Sequence, residues 1–312
     1  MKYQPPKFKR LNEMAAIDVG RLTEDEARQI LEDIRWPEGP YCPECGDTNV
    51  TRINQKSKKT WDGSFQCNGC RKQFTVTVGT VMHRSHITLR QWVQAFHSMC
   101  SHKKGVSALQ LQRNLGLKSY KSAWHLAHRI RLAMKDDALA APLKGTVEVD
   151  ETYIGGKTRM GIRGRGSERK TPVVALVERG GKMRTRVVAS VTAKNLKAAI
   201  RENVKPSARI MTDEWKSYSG IGKEFRGGHH TVNHGEGEYA RGTVNVNSAE
   251  SFFALLKRGM HGTFHHVSKQ HLHRYADEFS FRWSNRKVTD GERTVEAIKG
   301  ASGKRLQYRK RD

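Results

Sequence analysis

The amino-acid sequence predicts an α/β domain with a mixed sheet, preceded by a small cysteine-rich module and a helical segment. Three observations support this fold class. Four of the five cysteines lie close together, between residues 42 and 70. Apolar residues recur at helical spacing over residues 88–134, and from about residue 144 short β-branched runs alternate with helical patterns. Strands that alternate with helices in this way are typical of α/β domains.

The N-terminal segment, residues 1–40, is predicted to contain a helix over residues 23–35. Thr23 and Glu26 have the spacing of a capping box, in which each side chain accepts a hydrogen bond from the other residue's backbone. The run WPEGP at 36–40 then ends the helix.

Residues 41–80 are predicted to form a zinc ribbon. Two C-x-x-C pairs are separated by 21 residues. Such pairs bring four thiolates onto one tetrahedral Zn²⁺, and because no coordination position stays open, the expected role of the metal is structural. The ligands would be Cys42, Cys45, Cys67 and Cys70. The alternative is a set of redox-active or incidental cysteines.

Residues 81–140 are predicted to be a helical DNA-binding segment. Two helical patterns within residues 105–133 are separated by a turn at Gly116, which is the spacing of a helix-turn-helix. The second helix would enter the major groove of DNA. Its polar face would consist of Lys118, Lys121, His125, His128, Arg129 and Arg131. The alternative is a helical hairpin with a solvated basic face.

The charge balance points to nucleic acid as the partner. The 312 residues include 57 Lys and Arg against 31 Asp and Glu, which gives a formal net charge of +26. Phosphate backbones are the commonest large polyanions, so they are the leading candidates to neutralise this charge. No apolar run approaches the roughly 20 residues of a membrane span, and no apolar stretch follows the basic N-terminus. We therefore expect a cytoplasmic protein without a membrane partner.

Two aspartates are candidates for a metal site in the α/β domain. Asp150 lies in a run of apolar and β-branched residues, and Asp213 ends a second such run. At the carboxyl ends of adjacent strands, two carboxylates can share a divalent cation. Each aspartate has an acidic neighbour, Glu151 or Glu214. Strand alternation allows only one residue of each pair to face the site, and it does not say which.

A helix predicted at residues 245–260 supplies the third carboxylate. Glu250 and Lys257 are seven residues apart, so they lie on nearly one face of that helix, and Asn247 is close to the same face. Three carboxylates from two strands and one helix are the minimum for a two-metal site that acts on phosphodiesters. Their hard oxygen ligands favour Mg²⁺ or Mn²⁺ over zinc. Lys257 would hold a DNA phosphate near the metals.

Four strings of the sequence resemble those of a known family. They are VEVDETYIGGK at 147–157, IMTDEWKSY at 210–218, NSAESFFALLKRGMHGTFHHVS at 247–268 and HLHRYADEFSFRWSNR at 271–286. In this order, and with the N-terminal cysteine pairs, they resemble the bacterial insertion-sequence transposases of the ISXO-like group. The resemblance runs from about residue 20 to residue 300. It implies a catalytic domain of the RNase-H or retroviral-integrase type with a DDE metal site.

The resemblance also implies roles for individual residues. It makes Asp150 the first acid and Asp213 the second, with Lys257 following the third position. The group is described with either Glu or Asn at that third position, and this sequence offers both Glu250 and Asn247. We choose Glu250 because the seven-residue step to Lys257 fits the usual DDE helix and because a carboxylate is the better Mg²⁺ ligand.

The function implied by the resemblance is that of a transposase. It would bind the terminal inverted repeats of an insertion sequence and catalyse metal-dependent DNA cleavage and strand transfer in a domain over residues 141–300, with a basic tail at 301–312. Predicted contacts to double-stranded DNA involve Lys121, Arg129, Arg163, Arg165, Lys257 and Arg282. Because transposases act on paired DNA ends, we expect a homodimer or higher oligomer on DNA. The alternatives are a non-catalytic DNA-binding regulator derived from a transposase and a hydrolytic nuclease of the same fold.

Overall fold

The computed structural model describes residues 11–53, 62–136, 141–155, 170–238 and 240–307. The chain divides into two compact units. The first comprises residues 1–135 together with 287–312, and the second comprises residues 136–286. Within the described residues, no helix is both long and apolar enough to cross a membrane.

The first unit is mainly helical. Its helices, numbered along the chain, are α1 (Ala16–Gly20), α2 (Glu24–Arg35), α3 (Leu89–Ser101), α4 (Ala108–Leu115), α5 (Tyr120–Met134) and α9 (Asp290–Lys299). Helix α2 begins at the predicted capping box. The Thr23 hydroxyl accepts a hydrogen bond from the Glu26 backbone N–H, and the Glu26 carboxylate accepts one from the Thr23 N–H. Two donors that the first turn would leave unpaired are thereby satisfied.

A three-stranded antiparallel sheet follows α2. It consists of β1 (Val50–Arg52), β2 (Phe65–Cys67) and β3 (Gln73–Phe74), in that order. Trp36, at the end of α2, contacts Phe65 and Phe74 edge-on, so one aromatic cluster joins the helix to the sheet. A sheet of this size depends on such contacts because it buries little apolar area of its own.

Helices α4 and α5 are joined by a tight turn. Helix α4 ends at Gly116, whose φ of 63° lies in the left-handed region that glycine adopts at low cost. The Ser119 hydroxyl accepts a hydrogen bond from the Lys121 N–H at the start of α5. Lys118 and Lys121 are exposed around this turn, whereas most of the second half of α5 is buried.

The last helix, α9, packs against α2, α3 and α5. Gly300, directly after α9, lies so close to α5 that a Cβ at this position would stand 2.3 Å from the Ala133 carbonyl oxygen. The second compact unit ends before residue 287, so α9 belongs to the first unit, whereas the predicted catalytic domain extends to residue 300. An apolar stripe predicts that a helix is buried, but it does not predict which domain buries it.

The second unit is built on a five-stranded mixed sheet. Its strands are β4 (Thr146–Gly155), β5 (Lys170–Glu178), β6 (Met183–Val187), β7 (Arg209–Asp213) and β8 (His229–Val232). They lie in the order β6-β5-β4-β7-β8. The pairs β4–β5 and β5–β6 are antiparallel, and the pairs β4–β7 and β7–β8 are parallel. The predicted α/β domain with a mixed sheet is therefore confirmed.

Helices cover both faces of this sheet. They are α6 (Ala193–Asn203), α7 (Asn247–Gly259) and α8 (Lys269–Ser284). One core contains Val147 and Val149 of β4 together with Ile200 of α6. The other contains Ile154 of β4 together with Phe252 of α7 and residues of α8. Odd and even positions of β4 thus face opposite layers of helices.

Candidate active site

Strand alternation in β4 decides between Asp150 and Glu151. Val147 and Val149 pack toward α6, so Glu151 shares their face and Asp150 lies on the face that α7 and α8 cover. The Tyr218 hydroxyl donates a 2.7 Å hydrogen bond to the Glu151 carboxylate, and Tyr218 belongs to the α6 core. Glu151 is therefore held on the side of the sheet away from α7.

The second aspartate ends β7, the parallel neighbour of β4. Glu148 pairs with Met211, so continuing this register places Asp150 beside Asp213 at the carboxyl ends of the two strands. By alternation, both side chains lie on the α7 face. The Trp215 backbone N–H donates to Asp213 Oδ1 at 3.1 Å, which orients the carboxylate.

Helix α7 carries the third candidate in its first turns. Phe252 and Leu256 are buried in the core beneath the helix. Asn247, Glu250 and Lys257 are all exposed, in agreement with a shared face at helical spacing. Asn247 is the first residue of the helix, and Glu250 follows three residues later.

The charges of the acidic residues act together at Asp150. Burial raises the pKa of Asp150 to about 7, and the negative charge of Glu151 adds to the rise. The hydrogen bond from the Glu151 N–H to Asp150 Oδ1, 2.8 Å long, opposes it. The charges of Asp213 and Glu250 raise the Asp150 pKa further. The fold therefore brings Asp213 and Glu250 within electrostatic reach of Asp150.

A bound divalent cation would offset the repulsion among these carboxylates. The donors are hard oxygens, which Mg²⁺ and Mn²⁺ prefer, so the residues present fit such a metal. In the part of the chain that the structure describes, only the four cysteines form a group of metal-ligating residues whose ligand atoms all lie within 4.8 Å of one another.

The cysteine site has the geometry of a closed metal centre. The Sγ atoms of Cys42 and Cys70 are 3.6 Å apart, and those of Cys45 and Cys67 are also 3.6 Å apart. Separations of this size fit four thiolates around one Zn²⁺. The Cys70 N–H points to Cys67 Sγ at 3.4 Å. The four cysteines thus support the predicted structural zinc.

Two of the lysines predicted to contact DNA are exposed. Lys121 lies in the first turn of α5, and Lys257 lies near the end of α7. Both ammonium groups are placed where a phosphate could reach them. Arg163 and Arg165 lie outside the described residues, so their contacts to DNA stay predictions.

Arg129 and Arg282, which the sequence predicts to contact DNA, are both buried in the structure. Arg129 is 6% exposed, and its guanidinium donates to the backbone carbonyl of His83 and lies over the Trp92 ring. Burial lowers the pKa of Arg129 to about 10. Arg282 is 5% exposed and pairs with Glu278 at 2.6 Å. Burial of both guanidinium groups does not favour a contact with a phosphate.

The predicted polar face of α5 is also smaller than expected. His128 and Arg131 are buried in the structure, together with Arg129. Helical periodicity predicts which residues share a face, but it does not predict how far along the helix that face stays exposed.

Two charged residues that no sequence motif indicates lie beside the site. Glu148 is fully buried in β4, two positions before Asp150, and Arg179 directly follows β5. Arg179 Nε donates to the Glu148 carboxylate at 2.7 Å. The signal that could have identified Glu148 is a carboxylate within a buried β-branched run, where it requires a partner.

Two family models match the chain. The model described as an ISXO2-like transposase domain matches residues 142–284, and the model described as a transposase zinc-ribbon domain matches residues 22–73. The first match falls within the second compact unit, and the second match falls within the first unit.

Curated relatives agree with these matches. The chain is 30% identical over 276 residues to a Halobacterium salinarum protein described as "Uncharacterized protein in transposable element ISH50", over 84% of this chain and 91% of the relative. It is 31% identical over 108 residues to a Haemophilus influenzae protein described as "Uncharacterized transposase-like protein", over 34% of this chain and 85% of that protein. The chain therefore belongs to the family of insertion-sequence transposases that combine a transposase zinc ribbon with an ISXO2-like transposase domain.

Proposed function

We propose that this protein is a DDE-type transposase that binds the terminal inverted repeats of an insertion sequence, cleaves DNA at the element ends and joins them to target DNA. The observation that carries the proposal is the convergence of acids on one face of the sheet. Asp150 and Asp213 end adjacent parallel strands, and the charge of Glu250, on the helix that covers this face, acts on Asp150. Family membership supplies the class of reaction.

We infer that the second unit has an RNase-H or retroviral-integrase type of fold. The five-stranded mixed sheet with helices on both faces supports this inference, and so does the position of the first acid on the central strand, β4. The zinc ribbon and the helices of the first unit would recognise the element ends.

The acidic residues would hold a divalent metal, with Asp150, Asp213 and Glu250 as ligands and Asn247 as the alternative to Glu250. When bound, Mg²⁺ or Mn²⁺ activates a water or a 3′-hydroxyl and stabilises the leaving oxygen of the phosphodiester. Asp213 is kept in orientation by a backbone N–H. Lys257 is exposed two turns after Glu250, where its ammonium group would hold a non-bridging phosphate oxygen of the DNA.

DNA recognition is proposed for the turn before α5 and its first residues. Lys118 and Lys121 are exposed there, and Tyr120 is 51% exposed. In a helix-turn-helix, the first residues of the second helix reach the base edges in the major groove. This turn therefore replaces the buried Arg129 as the proposed contact. A dimer on paired DNA ends and a cytoplasmic location stay predictions.

The test compares DNA cleavage and joining by three proteins in the presence of Mg²⁺. The substrate is a labelled duplex that carries an inverted repeat flanking the gene, and the proteins are the wild type, Asp150→Asn and Glu202→Gln. Glu202 is the control because it is an exposed carboxylate on α6, on the other face of the sheet. We expect Asp150→Asn to lose at least about 100-fold in cleavage rate, since even residues behind a metal ligand contribute 10- to 100-fold. Full cleavage by this variant would refute the proposed site, and nicked products without joined products would indicate a nuclease.

A further inference from the structure

Glu148 is a fully buried carboxylate whose two oxygens are both engaged. Oε1 accepts hydrogen bonds from Arg179 Nε at 2.7 Å and from the Ser248 hydroxyl at 3.1 Å. Oε2 accepts from the backbone N–H groups of Ser248 at 2.8 Å and of Ala249 at 3.3 Å. This residue thus joins β4 to the first turn of α7.

These bonds act as the cap of α7. The helix begins at Asn247, and the residue before it, Val246, provides no side-chain cap. The first N–H groups of a helix have no partner within the helix, and they favour a negative charge nearby. Glu148 supplies that charge and two acceptor positions from a strand a hundred residues earlier in the chain.

Arg179 fixes the segment before α7 to the same carboxylate. Its remaining guanidinium nitrogens donate to the backbone carbonyls of Thr243 and Asn245, and to the Asn245 side chain. The Glu148 side chain is 1% exposed, so its charge depends on these partners. Strand β4, the turn after β5 and the entry to α7 are therefore held together through one carboxylate.

We propose that Glu148 and Arg179 are positioning residues that set Glu250 at the correct distance from Asp150, an inference that rests on the proposed function. Ser248 and Ala249, which Glu148 holds, directly precede Glu250 in the same turn of α7. Glu148 is not itself a metal ligand, because four donors already occupy its two oxygens. If it is lost, the first turn of α7 moves or frays, while Asp150 stays in its strand.

The first test measures backbone hydrogen exchange in Glu148→Gln. A glutamine amide nitrogen cannot accept a hydrogen bond, so one oxygen's partners lose their acceptor. We expect amides of residues 248–252 to exchange at least about 10-fold faster, with α6 unchanged. Glu178→Gln is the matched control, because Glu178 accepts from the Lys144 N–H instead. Unchanged exchange in α7 would overturn the inference whether or not the protein is a transposase.

The second test measures Mn²⁺ affinity of the zinc-loaded protein by electron paramagnetic resonance, in a double-mutant cycle. Glu148→Gln should weaken Mn²⁺ binding about 10- to 100-fold, as loss of a group that orients a ligand does. In the Glu250→Gln background, Glu148→Gln should change the Mn²⁺ affinity less than about 2-fold, because Glu148 acts through Glu250. A full additional loss in that background would contradict the positioning role and identify Glu148 as an independent contributor.

Two further proteins make these tests decisive. Arg179→Lys keeps a positive charge but lacks the fork of donors, so it should also speed exchange in α7 and weaken Mn²⁺ binding. It provides the test if Glu148→Gln fails to fold. A wild-type pattern in Arg179→Lys would contradict the role of Arg179. Asp150→Asn separates the two hypotheses, because unchanged Mn²⁺ affinity in that variant would refute the proposed active site while the exchange experiment still reports on the cap.

Discussion

Removal of the Asp150 charge should stabilise the metal-free protein, although the same change should abolish cleavage. The Asp150 pKa of about 7 compares with an ordinary value of 3.8. This rise of about three units corresponds to at most about 4 kcal/mol. Because the carboxylate is partly exposed, solvent screening reduces our expectation to about 2 kcal/mol.

The pH dependence follows from proton binding. The folded protein retains the Asp150 proton to a higher pH than the unfolded chain does, so the wild-type free energy of unfolding falls as the pH rises from about 4 to about 7. In Asp150→Asn the free energy of unfolding does not fall in this way, because asparagine has no proton to release in this pH range. We expect the variant to be more stable than the wild type by about 2 kcal/mol at pH 8 and by about half as much at pH 5.5.

Calorimetry of zinc-loaded protein, without other divalent metal, measures this difference. The control is Glu202→Gln, whose carboxylate is 65% exposed on α6 and should leave the stability unchanged. Mg²⁺ at about 100 times its Kd should then stabilise the wild type by about 2.7 kcal/mol and the Asp150 variant much less. A metal-free wild type as stable as the variant at pH 8 would refute the reasoning, because burial and the neighbouring acids would then not disfavour the Asp150 charge in the folded protein.

Four further substitutions test the first unit. Cys45→Ser should release zinc and unfold the ribbon, because three thiolates do not complete the site. Zinc content and circular dichroism measure the release and the unfolding, and a variant that retains zinc would contradict the prediction. Lys121→Ala should weaken binding to end DNA about 3- to 10-fold and lower its salt dependence, as measured by fluorescence anisotropy, and unchanged affinity would remove this contact. Arg129→Ala should lower the free energy of unfolding by about 1–3 kcal/mol with unchanged DNA affinity, whereas weaker binding at wild-type stability would restore the original prediction. Gly300→Ala should lower the free energy of unfolding by about 1–3 kcal/mol, because the added Cβ clashes with the α5 backbone. Thermal unfolding measures this, and wild-type stability would show that the backbone relaxes instead.

Features whose signal is local in the sequence were predictable. The capping box of Thr23 and Glu26 determines where α2 begins, since both partners lie within one turn. The C-x-x-C spacing likewise predicts one metal centre, because each pair presents two thiolates from a single tight turn. The alternation of β-branched and helical runs was enough to predict a mixed α/β domain.

Features that depend on distant contacts were not predictable. The phase of β4 allowed either Asp150 or Glu151 to face α7, and only the packing against α6 selects Asp150. The burial of Arg129 depends on a backbone carbonyl 46 residues away, which helical periodicity does not reveal. Glu148 caps a helix 100 residues later, so the segment before α7 contains no sign of its own cap.

Helix α9 is synthesised after the whole of the second unit, although it packs against α3 and α5 of the first. A nascent chain that ends before α9 therefore contains the complete acidic face of the sheet but lacks one core helix of the unit proposed to recognise DNA. Domains usually fold in the order of their synthesis, but here the first unit is finished only after the second has been made. Translation products that stop before α9 would thus have all of the acidic residues but an unfinished first unit, which is the unit proposed to recognise the element ends.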